Sequence, residues 1–258
     1  MWFTSLPTVL FAGCLRPGSA ARWQAGAVAA VSVLACAATG PVIDIAAAAS
    51  TARLVMERTP LRAAAGGKVV GHVDAYTAGG DRARLLVLTD RTDEHGTRWL
   101  ELLLPTRPNG STGWIKADQA LLADDPYEVR ISTRSRKLQL LNDGKVVLTT
   151  GIVIGAAPTP TPHGQFAIYD RYRATGTVLA PWVLELTAHS DVLHEYAGGP
   201  GRIAIHGMTG ALRAPVGTAR SHGCVRVPTA PLRALAKVVP LGTPVRIVRA
   251  PLSQIAPY

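Results

Sequence analysis

One cysteine in a segment rich in histidine and glycine is the residue best suited to chemistry. Cys224 lies in the run Ser221-His222-Gly223-Cys224-Val225-Arg226, while Cys14 and Cys36 fall in an apolar leader. Proteins made for an oxidising compartment usually pair their cysteines or have none, so a single unpaired thiol needs a specific function. A free thiol, with a pKa of about 8.5, is mostly protonated at neutral pH. A cysteine nucleophile therefore needs a neighbouring base.

Two histidines are candidates for that base. His222 lies two residues before Cys224. His206 directly follows the strand-like run 203–205, and fourteen residues separate it from Ser221. Side chains two residues apart on a strand share a face, but their tips need not converge, so we predict that His206 is the base. Taken alone, such a pair is more typical of a buried structural cysteine and a core histidine.

The surroundings of the pair resemble the L,D-transpeptidase (YkuD-type) catalytic domain, whose members cross-link peptidoglycan. Three segments carry the resemblance: the two motifs that contain His206 and Cys224, the threonine-proline-rich turn 158–166, and the run 241–245. One departure is His163, where threonine is more usual before the glycine. The resemblance covers about residues 127–248.

This resemblance implies a cysteine acyltransferase that needs no metal or organic cofactor. Cys224 would be the acyl-accepting nucleophile, His206 its base and later proton donor, and the Gly207 carbonyl would hold the other imidazole nitrogen. The implied partners are peptidoglycan stem peptides, attacked at the carbonyl between the third residue, a diaminopimelate, and the terminal D-alanine. A carbapenem is expected to acylate Cys224.

The remaining residues of the cysteine motif would support this chemistry. By resemblance, Ser221 and His222 would support the loop or stabilise the thiolate. Backbone amides of Gly223 and Cys224 would receive the oxyanion. Arg226 would orient the loop or bind a substrate carboxylate.

The elements that must position these residues are predicted to be mainly β. Short strand-like runs rich in Val, Ile and Leu recur between turn signals, at residues 69–73, 84–88, 99–104, 113–116, 128–131, 137–141, 145–154 and 244–248. Asn142-Asp143-Gly144 predicts a hairpin turn, so the second half opens as an antiparallel meander. Thr229 is predicted to cap a short helix that carries Leu232, Leu235, Ala236 and Val239 at helical spacing.

The chain is predicted to comprise a leader and two domains. Residues 1–49 would be the leader, 50–123 a small barrel that resembles bacterial Src-homology-3-like domains, and 124–250 the β-rich catalytic domain. Asp124-Asp125-Pro126 marks the link between the two domains. Trp99 and Trp114 are interpreted as core residues of the barrel and are assigned no site.

The leader predicts export to the cell wall or to the extracytoplasmic face of the membrane. Positive charge, an uncharged alanine-rich run and small residues near position 49 are typical of a signal peptide, and lipid attachment at a leader cysteine is the alternative that allows membrane association. The net charge of +10 favours an anionic environment such as a bacterial wall. Dispersed basic residues and only 5% aromatics argue against nucleic acid.

Three rival functions remain open from the sequence. The same site would be an L,D-carboxypeptidase if water replaced the acceptor amine. A zinc site at His206, His222 and Cys224 lacks the usual ligand spacing and a fourth ligand. A non-catalytic wall-binding protein would leave Cys224 and His206 without a function.

Overall fold

The described residues form two large β-sheets and one short pair of parallel strands. The computed structural model describes residues 48–255, and all of these belong to one compact unit. This mainly β architecture confirms the predicted fold class. Among the described residues, no helix is long and apolar enough to span a bilayer.

The first sheet takes up the N-terminal part of the described chain. Its strands are β1 (Ala49–Leu54), β2 (Arg58–Arg62), β3 (Val69–Asp74), β4 (Arg84–Thr92), β5 (Arg98–Leu103), β6 (Thr112–Lys116) and β7 (Ala120–Asp125). They lie in the order β3-β2-β6-β5-β4-β1-β7, and every neighbouring pair is antiparallel. The Src-homology-3-like identity of this unit stays a prediction.

The second sheet contains the motif strands. Its members are β8 (Tyr127–Ser132), β9 (Lys137–Asn142), β10 (Lys145–Gly151), β12 (Gly164–Arg173), β13 (Trp182–His189), β14 (Arg202–His206), β16 (Val225–Arg226) and β17 (Pro244–Val248). Their order is β10-β9-β8-β17-β12-β13-β14-β16, with parallel pairing only at β8/β17 and β14/β16. β11 (Ile154–Gly155) and β15 (Ala219–Ser221) form the short parallel pair.

A single apolar core lies on one face of this second sheet. Alternate residues of its strands are buried there, and the helix α1 (Thr229–Val238) adds three buried side chains, Leu232, Leu235 and Ala236. Because side chains on a strand alternate between faces, burying one set in the core leaves the other set on the opposite face. That opposite face carries the candidate site.

Two local predictions need correction. The predicted strand 145–154 ends at Gly151, because Ile152 and Val153 turn inward and are fully buried before β11 begins. Thr229 does not cap the helix: it is the first helical residue, and Pro228 occupies the cap position without a side-chain hydrogen bond. The predicted antiparallel meander 128–151 is confirmed by β8, β9 and β10.

Two predicted boundaries, the link between the domains and the end of the leader, can be compared with the structure. β7 ends at Asp125 and β8 begins at Tyr127, on either side of Pro126, but the division into separate domains stays a prediction. Ala49, the last residue of the predicted leader, is the first residue of β1. Residues 1–47, with nearly all of that leader, lie outside the described residues.

Candidate active site

The predicted nucleophile and base lie on the same face of neighbouring strands. In the parallel pair β14/β16, Ile205 is opposite Val225 and His206 is opposite Arg226. Ile205 and Val225 are buried in the core. Cys224 is the residue directly before β16, so by alternation Cys224 and His206 point to the other face. The fold therefore brings together two residues that are far apart in the sequence.

His206 is held in one tautomer. Its side chain is buried, and Nδ1 lies 2.6 Å from the Gly207 carbonyl oxygen. A carbonyl can only accept, so Nδ1 carries the proton of the neutral ring and Nε2 keeps its lone pair. Burial lowers the pKa of His206 to about 4, opposed by this hydrogen bond, and the charge of Arg226 lowers it further. His206 is therefore a neutral base at neutral pH.

Gly207 cannot carry a side chain in this fold. A Cβ placed there would lie 1.6 Å from the Ala180 carbonyl oxygen, and the Gly207 amide donates to the Leu179 carbonyl at 3.0 Å. These contacts fix the peptide whose carbonyl orients His206. The glycine is thus required by packing as well as by the motif.

Cys224 is a protonated thiol in this structure. Burial raises its pKa, while a hydrogen bond with the Ala204 backbone and the charge of Arg226 lower it. Within residues 48–255, the Cys224 thiol forms no hydrogen bond with the His206 imidazole. Such contacts often tighten only when substrate binds. Both side chains are therefore neutral at neutral pH.

The loop before Cys224 is closed by Ser221. Ser221 Oγ donates to the Cys224 carbonyl at 2.6 Å and accepts from the Gly223 amide at 3.2 Å. Gly223 has φ +116°, and a Cβ there would lie 2.9 Å from Ile203 Cδ1. Since the Gly223 amide is already engaged, the Cys224 amide is the better candidate for the predicted oxyanion donor.

The threonine turn (residues 158–162) supports this loop from the buried side. Thr161 Oγ1 donates to the Gly223 carbonyl at 2.7 Å and accepts from the Gly155 amide at 2.9 Å. Thr159 Oγ1 donates to the Ser221 carbonyl at 3.3 Å. These hydroxyl contacts were not predicted from the sequence, although threonines at alternate positions of the turn were a signal for them.

His222 lies on the outer side of the loop. It is exposed, its Nδ1 is 3.1 Å from Tyr196 Oη, and the two rings are 5.2 Å apart. Of the two roles that the resemblance gave His222, this contact fits support of the loop. Tyr196 was assigned no site from the sequence.

Tyr196 belongs to the outer loop (residues 190–201), which an arginine of the first sheet's β5–β6 connection holds in place. Arg107 donates to three carbonyls of this loop: Nη1 to Ser190 at 2.7 Å, and Nη2 to Leu193 and Pro200, each at 3.1 Å. A planar guanidinium can satisfy several carbonyls at once. Arg107, a residue of the N-terminal part, thus binds backbone carbonyls near both ends of the outer loop.

Asn109 adds a second attachment at the start of the same loop. Its side chain exchanges two hydrogen bonds with the His189 backbone, each 2.8 Å long, and donates to Asp191 Oδ1 at 3.0 Å. His189 itself is buried, and burial lowers its pKa to about 4. It is a neutral packed residue whose backbone anchors the start of the outer loop.

Arg226 is placed inside the molecule. Its side chain is 6% exposed, and Nη1 donates to the Leu212 carbonyl at 3.0 Å. Its charge lowers the pKa of both His206 and Cys224. This placement fits the loop-orienting role better than the predicted contact with a substrate carboxylate.

A cavity of about 850 Å³ lies on the far side of the threonine turn. Pro160, Thr161, His163 and three arginines are among its lining residues, and neither Cys224 nor His206 is. The position of this cavity therefore does not coincide with that of Cys224 and His206. His163 is exposed, and its Nε2 contacts Thr133 Oγ1 at 2.8 Å.

Comparison with known proteins gives consistent matches. Residues 126–247 match the family model described as the L,D-transpeptidase catalytic domain, YkuD. The chain is 28% identical over 154 residues to a Bacillus licheniformis protein named "Putative L,D-transpeptidase YkuD", over 57% of this chain and 85% of that protein. It is 32% identical over 124 residues to the Bacillus subtilis protein of the same name, over 48% of this chain and 67% of that protein.

A solved L,D-transpeptidase from Mycobacterium tuberculosis H37Rv is also similar. That match has 13% identity and a TM-score of 0.41, and it covers 64% of this chain and 90% of the solved chain.

Proposed function

This chain belongs to the YkuD family of L,D-transpeptidase catalytic domains, and from that premise we propose that it cross-links peptidoglycan stem peptides through a thioester on Cys224. The observation that carries the proposal is the placement of Cys224 and His206 on one face of neighbouring strands, with the His206 Nε2 lone pair available. A neutral imidazole beside a protonated thiol has the protonation states that general-base attack requires.

In the first half-reaction, the Cys224 sulfur attacks the carbonyl that joins diaminopimelate to the terminal D-alanine of a stem. The thiol proton passes to His206 Nε2, and a tetrahedral intermediate forms with its oxyanion at the backbone amides of the cysteine loop. His206 then gives the proton to the D-alanine nitrogen as the C–N bond breaks. D-Alanine leaves, and the stem stays bound as a thioester.

In the second half-reaction, the side-chain amine of another stem attacks the thioester carbonyl. The new C–N bond joins two third residues, the C–S bond breaks, and the sulfur regains its proton. Water in place of the amine would give an L,D-carboxypeptidase at the same site. We propose transfer as the main reaction, acting in the cell wall, which the export-like leader and the +10 charge support.

The test is product analysis with a disaccharide-tetrapeptide. The wild-type protein is expected to release D-alanine and form dimers, and Cys224→Ala should lower both rates at least about a thousandfold, since no nucleophile remains. Ser135→Ala, which removes one hydroxyl at an exposed turn, is the matched control.

Tripeptide without dimers would instead identify hydrolysis. Persistence of both products in Cys224→Ala would overturn the thioester. Intact mass after treatment with a carbapenem gives a second measurement, with one adduct expected on the wild-type protein and none on Cys224→Ala.

A further inference from the structure

A carboxylate that the proposed mechanism does not use lies on the same face as Cys224. On β13, Leu184 and Leu186 are buried in the core, so Glu185 between them points to the opposite face. In the antiparallel pair β13/β14, Glu185 is directly opposite Ala204. Glu185, Ala204 and Cys224 thus form one row across three neighbouring strands.

Cys224 is next to Ala204 in this row. The two residues pack in the same small cluster, and the Cys224 thiol is hydrogen-bonded to the Ala204 backbone. With neighbouring strands about 5 Å apart, Glu185 and Cys224 are separated by roughly 10 Å at the backbone. Ala204, the residue between them, is 7% exposed and carries only a methyl group as its side chain.

Glu185 is partly buried and partly paired. Its side chain is 24% exposed, Oε2 lies 3.4 Å from Arg202 Nε, and Oε1 accepts from Tyr172 Oη at 3.4 Å. Arg202 also donates to the carbonyls of Leu186 and Pro105, so its charge is shared among several acceptors. Burial raises the pKa of Glu185, which makes its carboxylate a better proton acceptor than an exposed one.

This carboxylate opposes the first half-reaction. Burial is the main cause of the raised pKa of the Cys224 thiol, and the negative charge of Glu185 adds a smaller contribution in the same direction, which disfavours the thiolate that must form during attack. A carboxylate that hinders acylation and yet lies on the same face as Cys224, two strands away, is better explained by the second half-reaction. There the incoming acceptor is a primary amine, which is an ammonium ion at neutral pH.

We propose that Glu185 is the binding subsite for the acceptor ammonium and takes its proton before attack. The ammonium would sit over Ala204, between the Glu185 carboxylate and the thioester on Cys224. This inference rests on the proposed transferase function and names its acceptor class, a primary ammonium group.

The proton balance of the step is complete. The ammonium gives one proton to Glu185 and becomes a neutral amine, whose nitrogen forms a bond to the thioester carbonyl carbon. The attacking nitrogen loses a second proton to His206 Nε2, the C–S bond breaks, and His206 returns that proton to the sulfur. An amide and the free thiol result, and Glu185 releases its proton to solvent.

The decisive experiment compares Glu185→Gln with wild type in both half-reactions. With a disaccharide-tetrapeptide as donor and acceptor, the ratio of dimer to hydrolysed tripeptide should fall at least about tenfold, since the carboxylate that binds and deprotonates the amine is gone. Carbapenem acylation, followed by intact mass, should keep its rate or become faster, because the charge that opposes the thiolate is removed. Effects of opposite sign are not expected of a residue that only supports the fold.

Two further variants keep the test decisive. Glu185→Asp retains a carboxylate on a shorter side chain and should recover part of the dimer fraction. Glu57→Gln, the same change at an exposed position in the bend between β1 and β2, should behave as wild type.

The outcomes separate the two proposals. An unchanged dimer ratio in Glu185→Gln, or an equal fall of transfer and acylation in both Glu185 variants, would overturn the ammonium subsite. Wild-type protein that forms no carbapenem adduct and no dimer would overturn the proposed function itself.

Discussion

The two sides of the cysteine loop are supported in different ways. On the buried side, the threonine turn, which lies between β11 and β12, holds the loop through its hydroxyls, and Thr161 is only 4% exposed. On the other side, Tyr196 of the outer loop contacts His222 at the surface, and that loop is fastened by Arg107 of the N-terminal part. Buried hydrogen bonds are costly to lose, whereas exposed ones exchange readily with water. The buried side should therefore fix Cys224, and the outer side should be able to adjust to substrate.

The largest effect is expected from Thr161→Val, which keeps the side-chain shape and removes the hydroxyl. The Gly155 amide and the Gly223 carbonyl lose their partner, so the free energy of unfolding should fall by about 1–3 kcal/mol for each unpaired group. Carbapenem acylation should slow at least about tenfold because Cys224 is no longer fixed. Urea unfolding and adduct mass measure the two effects.

Thr149→Val makes the same change at an exposed threonine of β10 and is expected to leave both quantities unchanged. If Thr161→Val also left acylation at the wild-type rate, the buried side would not be what fixes the nucleophile.

An intermediate effect is expected from Arg107→Met, which keeps an apolar stem and removes three hydrogen bonds to the outer loop. Amide hydrogen exchange across residues 190–201 should accelerate about tenfold or more, because the loop opens locally without global unfolding. Acylation should slow only a few-fold, less than in Thr161→Val. Mass-resolved hydrogen exchange is the measurement.

Arg98→Met is the matched control for this variant, because Arg98 pairs with Asp90 at the surface of the same sheet and does not contact the outer loop. Exchange in residues 190–201 that stayed at the wild-type rate would show that the N-terminal part does not order the outer loop.

The smallest effect is expected from Tyr196→Phe, which removes one exposed hydrogen bond to His222 and keeps the ring contact. Acylation should stay within about threefold of wild type. Tyr76→Phe, at an exposed tyrosine of the first sheet, serves as the reference in the same adduct assay. A loss of acylation rate greater than tenfold would show that the Tyr196 hydroxyl takes part in the reaction. The two sides of the cysteine loop would then not differ in importance.

Many of the strands could be predicted from local patterns in the sequence. Runs rich in Val, Ile and Leu between turn signals predicted the strands near β3 to β6 and the meander of β8 to β10, and in the structure each of these strands pairs with a neighbour close in the chain. The strand predicted over 145–154 was too long, since a run of apolar residues does not reveal that Ile152 and Val153 turn into the core. Thr229 matched a capping residue by type, but the helix begins at it.

The pair His206 and Cys224 could likewise be predicted from the sequence, whereas the residues that hold this pair in place could not. His206 and Cys224 stand out because a lone thiol and a histidine in glycine-rich motifs are uncommon, and the Gly207 carbonyl contact lies next to its partner in the chain. The contact from Thr161 to Gly223 spans 62 residues and that from Arg107 to Ser190 spans 83. No periodicity or spacing encodes such pairs, because they depend on how the sheets are placed.

The sequence by itself determined the candidate nucleophile and base, the glycine beside that base and the mainly β character of the chain, because these depend on residue type and near neighbours. Only the tertiary structure decided which groups surround the thiol: the threonine hydroxyls beneath it, the outer loop fastened by Arg107, and the carboxylate of Glu185 across Ala204. The physical reason is that strand order and register, which bring distant residues onto one face, are set by burial of the whole sheet and not by any local segment.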